Sequence, residues 1–143
     1  MSGLVMPEAD AATLARRAEI VADMRIIVPG EGVVDTVNEM RAFETDGLTA
    51  YRQLPLVVVL PETTAQVARI LKYCDERNIR VVPRGSGTSL SGGALPLEDA
   101  VLLVMSRFNR VLDIDYANRA VIAQPGVTNL AITHAVEQDG FYY

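Results

Sequence analysis

Twelve residues, Pro83-Arg84-Gly85-Ser86-Gly87-Thr88-Ser89-Leu90-Ser91-Gly92-Gly93-Ala94, constrain this chain more than any other stretch. They follow Ile79-Arg80-Val81-Val82, a β-branched run that predicts a short buried strand, so the glycines begin where a strand ends and the chain turns away. Four glycines and four hydroxyl residues share the loop. Glycine permits positive φ and close approach to a ligand, while Ser and Thr place hydroxyl donors beside exposed N–H groups. That combination suits a phosphate or pyrophosphate. A Gly/Ser cluster can also do no more than join two strands, and the residue types alone leave both readings open.

Two familiar phosphate motifs are excluded by spacing. A dinucleotide fingerprint counted from Gly85 and Gly87 needs a third glycine where Leu90 stands. A P-loop counted from Gly87 needs Gly-Lys-Ser/Thr and meets Gly92-Gly93-Ala94 instead.

The flanking sequence reads as an α/β unit. Leu56 to Leu60 is a continuous apolar run with a proline at each end, as expected for a strand covered on both faces. Thr63-Thr64-Ala65-Gln66 fits a capping box, and behind it Val67, Ile70, Leu71 and Cys74 predict the buried face of a helix over Thr64 to Arg77. Asn78 suits the helix end. A strand, a helix and a second strand over 79–82 imply parallel pairing, with the glycine loop leaving the carboxyl end of a strand, where open α/β sheets place ligands.

Ala100 to Met105 predicts a third strand. Arg110 to Ile114 and Arg119 to Ala123 predict a hairpin through Asp115-Tyr116-Ala117-Asn118, with imperfect alternation. Gln124-Pro125-Gly126 ends it, and Thr128 or Asn129 is placed to cap a last helix through Leu130, Ile132, Ala135 and Val136 towards Gly140. At the other end, Leu14, Ala18, Val21 and Ala22 predict a helix from Asp10 to Met24, with Asp10 placed to cap it. Val33-Val34 is a candidate short strand, and 35–43 gives no clear signal.

With 143 residues, half of them apolar and 22% charged, the chain has the composition of one globular domain. A net charge of −5 with a single lysine leaves no basic stripe for nucleic-acid phosphates. Cys74 is the one cysteine and reads as a core thiol, with no internal disulfide open to it. Glu8, Asp10, Arg16 and Arg17 interrupt any apolar signal core, and no apolar run approaches the roughly 20 residues of a membrane span, which together predict a cytoplasmic protein.

The run from Pro83 to Pro96, P-R-G-S-G-T-S-L-S-G-G-A-L-P, resembles the pyrophosphate loop of the FAD-binding domain of the vanillyl-alcohol oxidase and p-cresol methylhydroxylase family, most of all its FAD-linked glycolate oxidase and D-lactate dehydrogenase group. Glu44-Thr45-Asp46-Gly47-Leu48-Thr49-Ala50-Tyr51-Arg52, the strand and helix from Val57, and Gln124-Pro125-Gly126-Val127 follow in the family's order, so the resemblance covers Phe43 to Tyr143.

It implies an α+β fold of the p-cresol methylhydroxylase type, a small parallel βαβ sheet unit followed by the start of a second α+β unit. The implied organisation is an N-terminal helix and irregular extension over 1–54, then the FAD-binding domain over 55–143, cut short on its C-terminal side. The implied function is the N-terminal part of a flavin-dependent oxidoreductase of glycolate or D-lactate. The alternative is a stand-alone diphosphate-binding module, or a remnant that pairs with a separate subunit.

The matching cofactor positions are Arg84, Gly85, Ser86, Gly87, Thr88, Ser89 and Leu90, with Gly93, Ala94 and the corner Pro125, Gly126 and Val127. Arg84 either adds charge to that site or faces solvent. Some relatives hold flavin covalently through a histidine; none lies in the loop, which implies non-covalent FAD. His134 is a poor catalytic base, since no acidic partner is evident for it. The family's catalytic side chains come from a cap domain beyond Tyr143, so the resemblance implies no catalytic residue here and an iron–sulfur subunit as electron acceptor in the whole protein. Apart from the resemblance, the apolar surface at the closing Tyr142 and Tyr143 points to self-association or a compensating partner.

Overall fold

The computed structural model describes residues 6–143; residues 1–5, where the N-terminal extension begins, lie outside the described residues. The predicted first helix is divided in two, α1 (Ala11–Ala15) and α2 (Arg17–Ile27). Asp10 caps α1 by accepting from the Ala12 and Thr13 amides. The break falls at Arg16, whose amide bonds the Thr13 carbonyl three residues back while its guanidinium reaches the Arg77 carbonyl. The helical signal continues past Met24 because Ile27 is also buried.

Four strands form the main sheet: β1 (Val33–Val34), β2 (Val57–Val59), β3 (Arg80–Arg84) and β4 (Ala100–Val104), in the order β1-β2-β4-β3. β1 pairs antiparallel with β2; β2 and β3 each pair parallel with β4. The two strands joined by the helical crossover are thus parallel but not neighbours, because the more apolar β4 inserts between them and takes the fully covered position. The unassigned stretch after β1 forms α3 (Val37–Met40), capped by Thr36, and a 3-10 turn over Arg41–Phe43.

Side chains alternate across the sheet and build a core on each face. Val57, Val59, Val101 and Leu103 meet Ile20, Met24, Ile70 and Cys74 from α2 and from α4 (Thr64–Glu76). Val58, Leu102 and Val104 meet Met40 on the other face. Thr63 and Gln66 close the predicted capping box at α4. The buried face of α4 is rotated from the expected one. Tyr73 is buried, its hydroxyl donating to Asp23 at 2.7 Å, while Leu71 is 45% exposed. Asn78 ends the helix at φ +53°.

β3 runs two residues further than its apolar run, through Pro83 and Arg84. It is an outer strand of the sheet, where a proline without an N–H is tolerated.

The second unit is the antiparallel hairpin β5 (Val111–Asp115) and β6 (Ala120–Ala123) with helix α5 (Asn129–Val136). Asp115 accepts from the Asn118 amide at 2.9 Å to close the turn. An irregularity between Val111 and Asp113 leaves Leu112 out of register, which accounts for the broken alternation. Thr128 caps α5. Among the described residues no helix is long and apolar enough to cross a membrane.

Candidate functional site

The parallel register brings the exits of β3 and β4 to one end of the sheet, where the Met105 amide donates to the Arg84 carbonyl at 2.7 Å. The glycine loop leaves from that point. Gly87 and Gly92 both have positive φ, +74° and +75°, so the turn needs residues without a Cβ there. Among the described residues, the backbone N–H groups from Gly85 to Leu90 donate no hydrogen bond. Ser86, Thr88 and Ser89 are exposed. Unpartnered amides on successive turn residues are the kind of donor that anion-binding loops use.

The loop encloses a shallow hollow of about 370 Å³, lined by Arg84 to Ser89, Gly93, Ala94 and Pro125. Nine of the sequence-predicted positions are therefore brought together. The other three lie outside it. Leu90 does not line it and is 74% exposed. The Val127 amide closes a turn onto the Gln124 carbonyl. Gly126 serves as a docking point: its amide donates to the Phe108 carbonyl at 2.7 Å, and an added Cβ would lie 2.5 Å from the Met105 carbonyl oxygen. This contact holds Pro125 at the hollow's wall.

Arg84 does not face solvent. It ends β3 rather than opening the loop, and it is only 9% exposed. Its guanidinium lies directly beneath Gly87, where an added Cβ would be 2.1 Å from Nη2, and Nη1 donates to the Phe43 carbonyl at 2.9 Å. Burial lowers its pKa, and the nearby Asp46 carboxylate opposes that shift. An arginine keeps its charge through such a shift, so a cation underlies the loop.

The segment that meets Arg84 was not legible as part of a site. Asp46 is 4% exposed; Oδ1 accepts from the Leu48 amide at 2.9 Å, and Oδ2 is buried without a partner among the described residues. Gly47 abuts the loop so closely that an added Cβ would lie 2.7 Å from the carbonyl oxygens of both Thr88 and Ser89. The Asp-Gly dipeptide announced a turn, but nothing local announced its neighbour 41 residues along the chain.

Larger hollows lie elsewhere. One of about 610 Å³ separates the hairpin from α5 and the last four residues, and one of about 540 Å³ lies between Leu14 and Glu98. Neither is lined by a cluster of open amides. His134 is exposed on α5 and has no acidic partner among the described residues. Cys74 is 1% exposed in the first core, away from the loop, and burial pushes its thiol up to about 11.

A family model described as an FAD binding domain matches residues 55–143. The glycolate oxidase subunit GlcD of Escherichia coli strain K12 is 50% identical over 127 residues, 89% of this chain and 26% of that protein. The mitochondrial D-2-hydroxyglutarate dehydrogenase of Bos taurus is 34% identical over 121 residues, 85% of this chain and 22% of its own length. This chain thus spans about a quarter of the length of the curated relatives it matches.

Among solved structures, 4-ethylphenol oxidase from Gulosibacter chungangensis superposes with a TM-score of 0.78 at 23% identity, covering 95% of this chain and 27% of that one. p-Cresol methylhydroxylase superposes with a TM-score of 0.72 at 17% identity, covering 96% and 27%. At those identities the likeness is one of fold, and it is the p-cresol methylhydroxylase-type α+β fold that the loop and its neighbours predicted.

Proposed function

Because this chain belongs to the FAD-binding domain family, we propose that its loop from Arg84 to Ser89, with Gly93, Ala94 and Pro125, holds the diphosphate of FAD in a flavin-dependent oxidoreductase of a small 2-hydroxy acid, glycolate or D-lactate. The observation that carries this reading is the row of open amides from Gly85 to Leu90 above a buried arginine. A diphosphate needs several converging N–H donors and a nearby positive charge, and this end of the sheet offers both. The hydroxyls of Ser86, Thr88 and Ser89 add donors on the exposed side.

FAD, when bound, would supply the two-electron acceptor for a hydride. The residues present fit that group without a covalent link, since no histidine lines the hollow. They would position and charge-balance the cofactor but present no acid or base to a substrate: Arg84 is the one ionisable side chain in the lining. The oxidation of the hydroxy acid is therefore assigned to the whole protein, with electrons passing to an iron–sulfur partner. Identity of 50% to a protein named a glycolate oxidase subunit supports this reading.

Calorimetric titration of the chain with FAD, with ADP as a probe of the diphosphate half alone, tests the site. Heat on binding of both ligands, abolished in parallel by Gly87→Val, is the expected result. A folded chain that binds neither, or one that binds FAD but not ADP, would overturn the assignment of the loop. Turnover of glycolate by the chain alone would overturn the division of labour.

A further inference from the structure

We infer that Gly47 is a positioning residue for the cofactor loop: its missing side chain lets the peptides after Thr88 and Ser89 seat against its own turn. This rests on the diphosphate reading of the loop and extends it to a segment 41 residues upstream of Thr88.

Gly47 has no backbone reason to be glycine, because its φ lies outside the left-handed region. Its reason is contact. An added Cβ would lie 2.7 Å from the Thr88 carbonyl oxygen, 2.7 Å from that of Ser89 and 3.0 Å from the Thr88 carbonyl carbon. All three are backbone atoms, so no side-chain rotation relieves the clash. Both carbonyl oxygens lie against Gly47, that of Thr88 side-on, since its carbon is almost as close as its oxygen. Every peptide among the described residues is trans, so each carbonyl and the N–H that follows it shift as one rigid unit. The amides of Ser89 and Leu90 belong to these two peptides, and neither donates to another described group. The contact that seats the loop thus also fixes the peptides that carry these donors.

Two further observations tie this turn to the site. Asp46 fixes it from inside, with Oδ1 on the Leu48 amide and Oδ2 buried and unpartnered. Arg84 reaches back from beneath Gly87 to the Phe43 carbonyl, so the segment and the loop interlock on both sides of the guanidinium.

Three proteins decide the matter: wild type, Gly47→Ala, and Asp46→Ala, which removes the turn's acceptor without placing any atom against the loop. Each is titrated with ADP and with FAD, and amide NMR follows Ser89 and Leu90. In the wild type, ADP should shift the Ser89 and Leu90 amides. Gly47→Ala should weaken both ligands about tenfold or more and abolish those shifts, while resonances of β2 and β4 stay in place. Asp46→Ala should weaken them about threefold to tenfold. Wild-type shifts at Ser89 and Leu90 with unchanged affinity in both variants would overturn the role of Gly47 and leave the loop standing. Absence of wild-type shifts anywhere in the loop would remove the diphosphate reading, and this inference with it. Should Gly47→Ala fail to fold, unchanged affinity in Asp46→Ala alone counts against the proposal.

Discussion

In the four-stranded sheet every residue of β2 and β4 is buried, whereas no residue of β5 or β6 is. The two units also differ in their partners. The sheet has a packed core on each face. The hairpin leaves Leu112 and Ile122 more than half exposed, and α5 buries only Ile132 and Val136. Each fully buried aliphatic side chain contributes roughly 1.5–3 kcal/mol, so the stability of the chain resides in the sheet. The hairpin is held by its attachment at Gly126, by its own turn, and by Tyr116, whose hydroxyl donates to Asp139 at 2.6 Å and whose ring packs against Phe141. The proposed cofactor hollow lies at the junction, with β3 and its loop on one side and Pro125 on the other.

The sharpest way to break this contrast is to remove equivalent bulk from each unit. Leu102→Ala, at 0% exposure in the middle of β4, should cost about 3 kcal/mol and lower the urea midpoint accordingly. Ile122→Ala, at 58% exposure, should stay within about 0.5 kcal/mol. Similar losses from the two would mean the hairpin carries core weight that its burial does not reveal.

Gly126→Ala tests the attachment. Its Cβ would strike the Met105 and Phe108 carbonyl oxygens at 2.5 and 2.8 Å, so the corner must shift at a cost of about 2 kcal/mol. Hydrogen exchange should quicken in β5 and β6 and stay slow in β2 and β4. Uniform quickening would show a single cooperative unit.

Alkali probes the core thiol of the sheet unit. Burial raises the Cys74 thiol from 9.0 to about 11, with Arg77 opposing. The folded chain then holds this proton more tightly than the unfolded chain does. The resulting stabilisation is complete below pH 9 and is lost as pH rises towards 11, amounting to roughly 1 kcal/mol at pH 10. Cys74→Ala should flatten the fall in thermal midpoint across that window, and an equal slope in the variant would remove the cause.

The smallest contrast is between two helix caps. Thr63→Ala breaks a reciprocal capping box and should cost about 1 kcal/mol. Thr128→Ala removes a single bond to the Ala131 amide and should cost about half that, read as the difference in chemical-denaturation midpoints.

Legibility in the sequence followed the same division between local and distant causes. The runs Leu56 to Leu60 and Ala100 to Met105 declared buried strands, and Thr63 with Gln66 declared a helix start, because each signal is complete within a few residues. The position of β4 between β2 and β3 was not legible, since pairing choice depends on which strand must be covered on both faces. Leu71 looked as apolar as Tyr73, yet the face was settled by Asp23 in another helix.

At the site, the composition of 85–89 was enough to suggest anion chemistry, and Gly87 does adopt the positive φ that favours glycine. What escaped was everything beneath the loop. Arg84 is buried because the Phe43 carbonyl receives it, and Asp46 because Gly47 lets the loop come down on that turn. Neither contact has a signature at its own position.

Pro83 carries one more consequence. As part of an outer strand it interrupts the row of backbone donors that a further strand would need, and β1 at the opposite edge is two residues long. A sheet whose edges are blunted in both directions is a poor template for edge-to-edge growth by other copies of the chain. The proline that leads into the glycine loop thus also guards the chain's colloidal behaviour, and relieving it would be felt first at high protein concentration rather than in the affinity of any ligand.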